Sequence, residues 1–310
     1  MRVPSNQLFV HHDLNHLSEH KNAKISKLRA DLGKIRIRGC KNTKASAKAK
    51  KNETKKLPNF NGIDFGALER HLRDTRHKHS LATDPLAAQP HINRLMRAVL
   101  LNWLADVCSM FKCKPRTIFL CGSILDRYLS AQQVQKSELQ LLGVACLYIA
   151  SKFEDIAALK ATSLCALCDS LYSPTQVHGM EARVLAALQF ELVHVSALDV
   201  LQLQLARLGV HDARVDALGT CVLHAYLLHG TLSVLDSTKM ADFVCALAHR
   251  AFAIQALAHV SASVGAAEAG ELSAGVRKMI DVARKHGFDG LSVPASELKL
   301  SSLLAAKEAN

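Results

Sequence analysis

The stretch LQLLGVACLYIASKFED, at residues 139–155, places apolar or small side chains on every face of a helix and then ends abruptly on Lys152, Phe153, Glu154 and Asp155. A helix that is apolar all round belongs in the middle of a bundle, where neighbouring helices cover it. Its end is then a solvated terminus, a catalytic pair of acids or a docking surface for another protein. The stretch therefore predicts a helical bundle whose central helix leaves the core at its C-terminal end.

Helical periodicity continues on both sides of this central helix. Before it, residues 63–80 show a short amphipathic pattern, and residues 92–111 and 115–131 carry the apolar stripes of helices that face a core. After it, residues 163–172 and 173–192 complete a first group of five helices.

A second group of five helical patterns follows the first group. Its members are capped by Ser or Asp and closed by Gly or polar turns, and β-branched alternation is nearly absent. The sequence therefore predicts an all-α fold of two successive five-helix bundles, preceded by an extra helix. The five patterns span residues 196–209, 213–230, 236–260, 271–287 and 296–309.

The positive charge of the chain lies near its N terminus. Residues 21–56 hold 14 Lys and Arg against Asp31 and Glu53, which accounts for the formal net charge of +12 of the whole chain. We expect a disordered basic tail here, because this composition cannot bury apolar surface. The neutral remainder shows no net attraction to nucleic acid. The expected units are the tail at 1–60, the extra helix and linker at 61–90, the first bundle at 91–194 and the second bundle at 195–310.

The sequence offers no catalytic or metal-binding constellation. It lacks the GxGxxG, GxxxxGK(S/T), GxSxG and HExxH motifs, and the acid pair Glu154–Asp155 has no obvious partner acid or nucleophile. Cys165 and Cys168 form a lone CxxC pair, which fits buried helix positions better than a zinc site. Polar residues within the uncharged stretch 217–235 argue against a membrane span. We therefore expect no enzyme, no metal, no cofactor and no membrane association.

Four blocks of the sequence resemble the cyclin family. They are MRAVLLNWLADV (96–107), ILDRYLS (124–130), LQLLGVACLYIASKFED (139–155) and MEARVLAALQFEL (180–192), in the order and at the spacing of the cyclin box. The resemblance covers roughly residues 63–195, and KHGFDGLSVPASEL at 285–298 is similar to the end of the second fold in A- and B-type cyclins. It implies two tandem five-helix cyclin folds in a non-catalytic regulatory subunit. Such a subunit binds and activates a cyclin-dependent kinase as a heterodimer.

The resemblance also implies a kinase-binding surface. In it, a lysine donates to backbone groups of a kinase helix and a glutamate accepts from them, while apolar side chains supply the anchor. Two acids at the rim meet basic residues near the activation segment of the kinase. The residues so assigned are Lys152, Glu181, Phe153, Glu154, Asp155, Ile156, Phe190, Leu192 and, on the helix before the box, Leu68.

A second site concerns the apolar stripe that includes the single tryptophan. Met96, Val99, Leu100 and Trp103 follow one helical face, a pattern that by itself is more often core. The resemblance implies an exposed patch that binds Arg-x-Leu peptides of substrates or inhibitors. Leu139 and Gln140 complete this patch, and Asp106 takes the arginine of the peptide, although the family often has the longer Glu there.

Arg97 and Asp126 are charged residues within apolar helical stretches. A buried charge is tolerable only when it is paired. The resemblance implies that these two residues pair with each other, which is a structural role and not a catalytic one.

The tail carries a short motif and a lysine cluster. RADLGKIRI, at residues 29–37, resembles the destruction box of mitotic cyclins, which a ubiquitin ligase captures, although the family usually has Asn where this chain has Ile37. The cluster at 44–56 reads as a nuclear localisation signal or a nonspecific nucleic-acid contact. Nine scattered cysteines without a secretory signal indicate free thiols, and we expect the protein in nucleus and cytoplasm. The residues of the box are Arg29, Leu32, Gly33 and Ile35.

Two other hypotheses for the function were weighed against the kinase activator. A cyclin-fold protein that binds nucleic acid, like a general initiation factor, predicts a basic folded body, and the body here is neutral. An enzyme has no supporting constellation of residues.

Overall fold

A computed structural model of the chain describes residues 64–79, 84–229 and 237–286, together with Leu300 and Leu304. Over this part of the chain it contains 11 α-helices and no strand, so the all-α prediction is confirmed. The tail, including the destruction-box residues, and nearly all of the predicted helix 296–309 lie outside the described residues. The helices are α1 (Phe65–His79), α2 (Arg94–Phe111), α3 (Pro115–Ala131), α4 (Leu139–Glu154), α5 (Ala161–Leu167), α6 (Pro174–Ala187), α7 (Ala197–Arg207), α8 (Ala213–His229), α9 (Ser237–Phe252), α10 (Ala258–Ser263) and α11 (Ala266–His286).

Helix α4 is the central helix of the first bundle, α2 to α6, as its all-round apolar sequence predicts. It packs against α2, α3 and α6. Every residue from Leu142 to Leu147 is buried, so the helix has no solvated face in this part. A 3₁₀ turn, Lys136–Glu138, leads into it. A neighbouring helix approaches closely at Gly143, where Leu100 of α2 occupies the space that a side chain would need.

The close approach at Gly143 gives a first prediction. An added Cβ would lie 2.8, 2.9 and 3.0 Å from three carbon atoms of the Leu100 side chain. We expect Gly143→Ala to lower the free energy of unfolding by about 1–3 kcal/mol, because overpacking displaces a buried side chain. Urea denaturation measures this change.

Gly179 of α6 is the matched control for Gly143, since a Cβ there meets nothing within 4 Å. We expect Gly179→Ala to stabilise the protein by about 0.4–1 kcal/mol, because alanine reduces the freedom of the unfolded chain. A similar change in stability for both variants would contradict the packing argument.

The helix ends follow local sequence rules. The side chain of Asn93 accepts from the amide of Met96 at 2.9 Å and caps α2. Ser173 and Ser196 form capping boxes with Gln176 and Asp199 at the starts of α6 and α7. These caps explain why the bundle helices begin where the sequence predicts.

Three predicted helices of the chain end several residues earlier than expected. Helix α5 stops at Leu167 rather than at Tyr172, and Asp169 and Ser170 just after it have φ 56°. Helix α6 stops at Ala187 rather than at Leu192, because Gln189 and Phe190 take left-handed backbone conformations with φ 53° and 60°. The single helix expected over 236–260 is instead α9, a 3₁₀ turn and α10, because Ala253 at φ 53° ends α9. All three breaks occur without a glycine, so there is no local sequence signal for them.

The two bundles meet through α2, α3 and α8. Helix α2 packs against α8, and the space beside Gly122 of α3 is filled by Leu227 of α8, whose Cδ1 lies 2.5 Å from the position of an added Cβ. Helix α1 packs against α7 of the second bundle. Among the described helices, none has the length and apolar character that a membrane crossing requires.

Candidate functional site

The central helix leaves the core at Lys152. Ser151 is fully buried, whereas the next residues turn outward: Phe153 is 53% exposed and Ile156 is 99% exposed. Large apolar side chains with this exposure are unusual on a free protein surface when they are grouped, and such groups mark interaction sites. The end of α4 is therefore apolar at the surface, beside a lysine and two acids.

Lys152 is held in place by two neighbours. Its ammonium pairs with the carboxylate of Glu181 of α6 and lies 4.2 Å from the ring centroid of Tyr148, one turn earlier on α4. The hydroxyl of Tyr148 lies 3.5 Å from Nε2 of His178. The structure thus brings together Lys152 and Glu181. Sequence reasoning missed Tyr148 and His178, although the i, i+4 spacing of Tyr148 and Lys152 was a usable signal.

Asp155 has a structural task that the sequence did not predict. Its Oδ1 accepts from the amide of Lys114 at 2.8 Å, and its Oδ2 accepts from the hydroxyl of Thr117 at 3.0 Å. Lys114 precedes α3 and its own side chain provides no cap, so Asp155 caps α3 from another part of the chain. The ammonium of Lys114 donates to the backbone oxygen of Glu154 at 2.5 Å.

Both acids expected at the rim also have partners within the chain. Besides the bonds of Asp155, the carboxylate of Glu154 lies 3.7 Å from Nε of Arg116, and Arg116 also pairs with Asp199 of α7 at 3.0 Å. Glu154 lies beside the opposite charge of Arg116, and Asp155 accepts from an amide at the start of α3 that has no partner within the helix. The end of α4 is consequently fastened to α3 and, through Arg116, to the second bundle.

The cap from Asp155 gives a second prediction. We expect Asp155→Ala to lower the free energy of unfolding by about 0.5–2 kcal/mol, the usual cost of losing a helix cap. Thermal unfolding followed by circular dichroism measures the loss.

Glu154→Gln is the matched control for Asp155→Ala. The closest contact of Glu154 is made by its backbone oxygen, which accepts from Lys114 and is kept in the variant. A surface change of this kind usually stays within about 0.5 kcal/mol. Equal losses for the two variants would count against the cap.

The remaining residues of the expected kinase-binding surface are exposed to different degrees. Phe190 is 71% exposed, because its left-handed backbone turns it out of the path of α6. Leu68 on α1 is 38% exposed, and Leu192 is half-buried against the core. Sequence reasoning missed Leu171 and Val193, which are 58% and 51% exposed. An apolar residue in a turn has no periodicity that reveals its exposure.

The apolar stripe of α2 belongs mostly to the core. Leu100, Trp103 and Leu139 are 7%, 8% and 2% exposed, which corrects the exposed patch expected at these positions. For Leu100 the physical reason is the small Gly143, which lets this side chain of α2 lie against α4. The half-buried residues left at the surface are Met96, Val99, Asp106 and Gln140. The amide of Gln140 lies 3.7 Å from Sγ of Cys168.

Arg97 and Asp126 form a buried bidentate ion pair. Nε and Nη2 of Arg97 each donate to a carboxylate oxygen of Asp126 at 2.6 Å, and both residues are at most 3% exposed. Nη1 of Arg97 donates to the backbone oxygens of Leu227 and Leu228 at 2.9 and 3.4 Å. These oxygens belong to the last turn of α8, where a cation is favoured. Arg97 therefore joins the two bundles, a role that the sequence did not indicate.

The described cysteines are buried thiols, with the partial exception of Cys113. Burial raises the pKa of Cys221 and Cys245 to about 12, so these thiols stay protonated. Cys165 and Cys168 are buried and form no disulfide. Within the described residues no group of three or more His, Cys, Asp or Glu is placed to hold a metal ion.

Comparisons with known proteins define the class of the first bundle. Residues 68–193 match the family model of the cyclin N-terminal domain. Over 126 residues the chain is 41% identical to "Cyclin-A1-4" of Oryza sativa subsp. japonica, covering 40% of this chain and 35% of that protein. Over 109 residues it is 42% identical to "G2/mitotic-specific cyclin-2" of Antirrhinum majus, covering 35% of this chain and 25% of that protein. The chain thus matches a quarter to a third of the length of these relatives.

A solved structure extends the likeness of fold beyond this segment. The viral cyclin of herpesvirus saimiri aligns with a TM-score of 0.57 at 20% sequence identity, covering 72% of this chain and 97% of that chain. The aligned share exceeds residues 68–193, so helices of the second bundle take part in it. These findings show that residues 68–193 resemble the N-terminal domain of the cyclin family. Within that family it resembles the A and B types.

Proposed function

We propose that this protein is a regulatory subunit that binds and activates a cyclin-dependent protein kinase and thereby controls cell-cycle progression. The observation that carries the proposal is the exposed apolar end of α4 beside the Lys152–Glu181 pair, within the segment that matches the cyclin N-terminal domain. A buried apolar anchor with a polar rim is the usual anatomy of a strong protein interface.

The proposed mechanism acts on the kinase. Phe153 and Ile156 bury apolar surface against a helix of the kinase, while Lys152 donates to and Glu181 accepts from that helix. Docking moves the αC helix of the kinase inward, so that its glutamate pairs with the lysine that holds the ATP phosphates, and it orders the activation loop. The cyclin contributes no catalytic group.

A panel of recombinant cyclin-dependent kinases tests this function. The purified chain, with an affinity tag, is mixed with each kinase, and protein kinase activity is measured in the bound fraction. We expect at least one kinase to bind and to gain activity relative to the kinase alone. Failure of every kinase to bind, or binding without activation, would overturn the proposal.

The protein is also proposed to recruit substrates through the surface edge of the α2 stripe. Met96 and Val99 are half-buried and present apolar surface, and Asp106 and Gln140 are the half-buried polar residues of the predicted patch. A short peptide with an Arg-x-Leu core fits this surface, because its leucine can pack on the apolar side chains and its arginine can pair with the carboxylate.

Peptide binding gives a third prediction. We expect Met96→Ala combined with Gln140→Ala to weaken a fluorescent Arg-x-Leu peptide by about tenfold, the effect of losing about 1.4 kcal/mol of contacts. Fluorescence anisotropy measures the affinity, with a peptide carrying Ala at both motif positions as the control. Unchanged affinity, or equal binding of the control peptide, would contradict the patch.

The tail is proposed to govern lifetime and localisation. Its RADLGKIRI segment would be bound by a ubiquitin ligase, and its lysine cluster at 44–56 would direct the protein to the nucleus. In cells, replacement of Arg29 and Leu32 by Ala is expected to lengthen the half-life through mitosis. An unchanged half-life would rule out the destruction box.

A further inference from the structure

Two cysteines occupy the contacting positions of the turn that ends α2. The helix stops with Lys112 in the left-handed region, at φ 56° and ψ 39°. The amide of Cys113 donates to the carbonyl oxygen of Cys108 at 2.9 Å, and the amide of Lys112 donates to that of Ser109 at 3.2 Å. These are the two bonds of a Schellman motif, in which the residues at the ends of the longer bond pack their side chains together. The turn therefore places Cys108 against Cys113.

The two thiols differ in access to solvent. Cys113 is half-buried, whereas Cys108 and the other described cysteines are buried. A hydrogen bond with the Cys113 thiol, reinforced by burial and by the Asp155 carboxylate, raises the pKa of Cys108 well above its ordinary value. Cys108 therefore keeps its proton, and Cys113 is the thiol that a dissolved oxidant meets first.

We propose that Cys108 and Cys113 form a reversible disulfide when a hydroperoxide reaches Cys113, and that this bond weakens partner docking at the end of α4. The second part rests on the proposed function, because it supposes that a kinase docks there. Neither cysteine takes part in the docking contacts described above, so the bond would act through the turn that connects α2 to α3.

The chemistry balances with hydrogen peroxide as the oxidant. The thiolate of Cys113 attacks the O–O bond and becomes a sulfenic acid, while the displaced hydroxide takes up the thiol proton and leaves as water. The sulfur of Cys108 then attacks the sulfur of the sulfenic acid. An S–S bond forms, the S–O bond breaks, and a second water leaves with the proton of Cys108. Two sulfurs lose two electrons in total, and a dithiol reductant reverses the change by exchange.

Lys114 connects this turn to the docking end. It follows Cys113 directly, its amide donates to Asp155 at 2.8 Å and its ammonium donates to the backbone oxygen of Glu154 at 2.5 Å. A covalent bond holds two sulfurs closer than a thiol contact does. Drawing Cys113 toward Cys108 therefore displaces Lys114 from the two acceptors that fix the end of α4.

Peptide mapping tests the disulfide without any kinase. The full chain is treated with one equivalent of hydrogen peroxide, blocked with N-ethylmaleimide, denatured and cut with trypsin. Trypsin cleaves after Arg97, Lys112 and Arg116 but not between Lys114 and Pro115, so each cysteine lies in its own peptide. We expect peptides 98–112 and 113–116 to appear joined, with the loss of two hydrogen atoms, and to separate after reduction.

The control variants decide whether the link is specific. Cys113→Ser should abolish the joined peptides, and Cys168→Ser, which removes a buried cysteine elsewhere, should leave them unchanged. A link from Cys108 to a different cysteine, or overoxidation of Cys113 without a link, would overturn the disulfide.

Kinase affinity then tests the coupling. Reduced and oxidised protein, each as wild type and as Cys113→Ser, are compared against a kinase that binds the reduced form. We expect at least about a tenfold weaker affinity for the oxidised wild type and no change in the variant. Equal affinities would overturn the coupling while the peptide map stands. If the reduced protein binds no kinase, the proposed function fails, and the peptide map alone then tests the disulfide.

Discussion

Kinase binding is expected to weaken by roughly 30-fold or more when Lys152 and Glu181 are both replaced by Ala. Truncating hydrogen-bonded charges that a partner buries costs about 2–5 kcal/mol, and each 1.4 kcal/mol corresponds to about tenfold in affinity. Activation of the bound kinase should fall in parallel, because both depend on docking. Titration of the variant against a kinase that binds the wild type, with activity measured at each point, gives both numbers.

Stability of the double variant should change little. The side chains of Lys152 and Glu181 are 40% and 13% exposed, and an ion pair with one partner open to solvent usually contributes about 1 kcal/mol or less to folding. The matched control is Glu138→Ala with Arg183→Ala, which removes an exposed pair of the same charges that also joins the α4 region to α6. Equal binding by the wild type and the Lys152–Glu181 variant, or an equal loss in the control, would refute the site.

The two charged residues of this interface are already in contact in the free chain. Lys152 and Glu181 pair with each other in the absence of a partner, and Lys152 also lies over Tyr148. Both charges are therefore positioned before the proposed docking, in which they would exchange some of their mutual contact for contacts with the kinase backbone. Pre-positioned side chains lower the entropy cost of binding.

Asp126→Asn is expected to lower the free energy of unfolding by about 3–5 kcal/mol. The substitution keeps the shape of the side chain but leaves Arg97, which is 0% exposed, as a buried charge without its counter-ion. Because Arg97 also holds the last turn of α8, the loss should loosen the contact between the two bundles. Urea denaturation of wild type and variant measures the difference.

Two controls separate charge burial from simple loss of contacts. Arg97→Met combined with Asp126→Leu should recover much of the stability, since apolar side chains of similar volume often replace a buried pair without loss. Glu138→Gln, which breaks the exposed pair with Arg183, should cost less than about 1 kcal/mol. A loss in Asp126→Asn as small as that of Glu138→Gln would show that the buried pair is not important for stability.

Much of the first bundle could be predicted because its signals are local. The apolar period marks α2, α3 and α4, and the residues Pro115 and Ser173 mark helix starts that the structure reproduces. The change from apolar to charged residues at Lys152 likewise predicted where α4 leaves the core. Local patterns were insufficient where a left-handed residue other than glycine ends a helix, as at Phe190 and Ala253.

By itself, the sequence determined which segments are helical, which helix is central and where the apolar surface opens. Only the tertiary structure decided which groups meet. Asp155 caps a helix that begins 40 residues earlier, and Arg97 binds carbonyl oxygens 130 and 131 residues away. It also placed Trp103 in the core rather than in an exposed patch. The physical reason is that periodicity records how much of a face is apolar, whereas hydrogen-bond partners and the depth of burial depend on how closely helices approach.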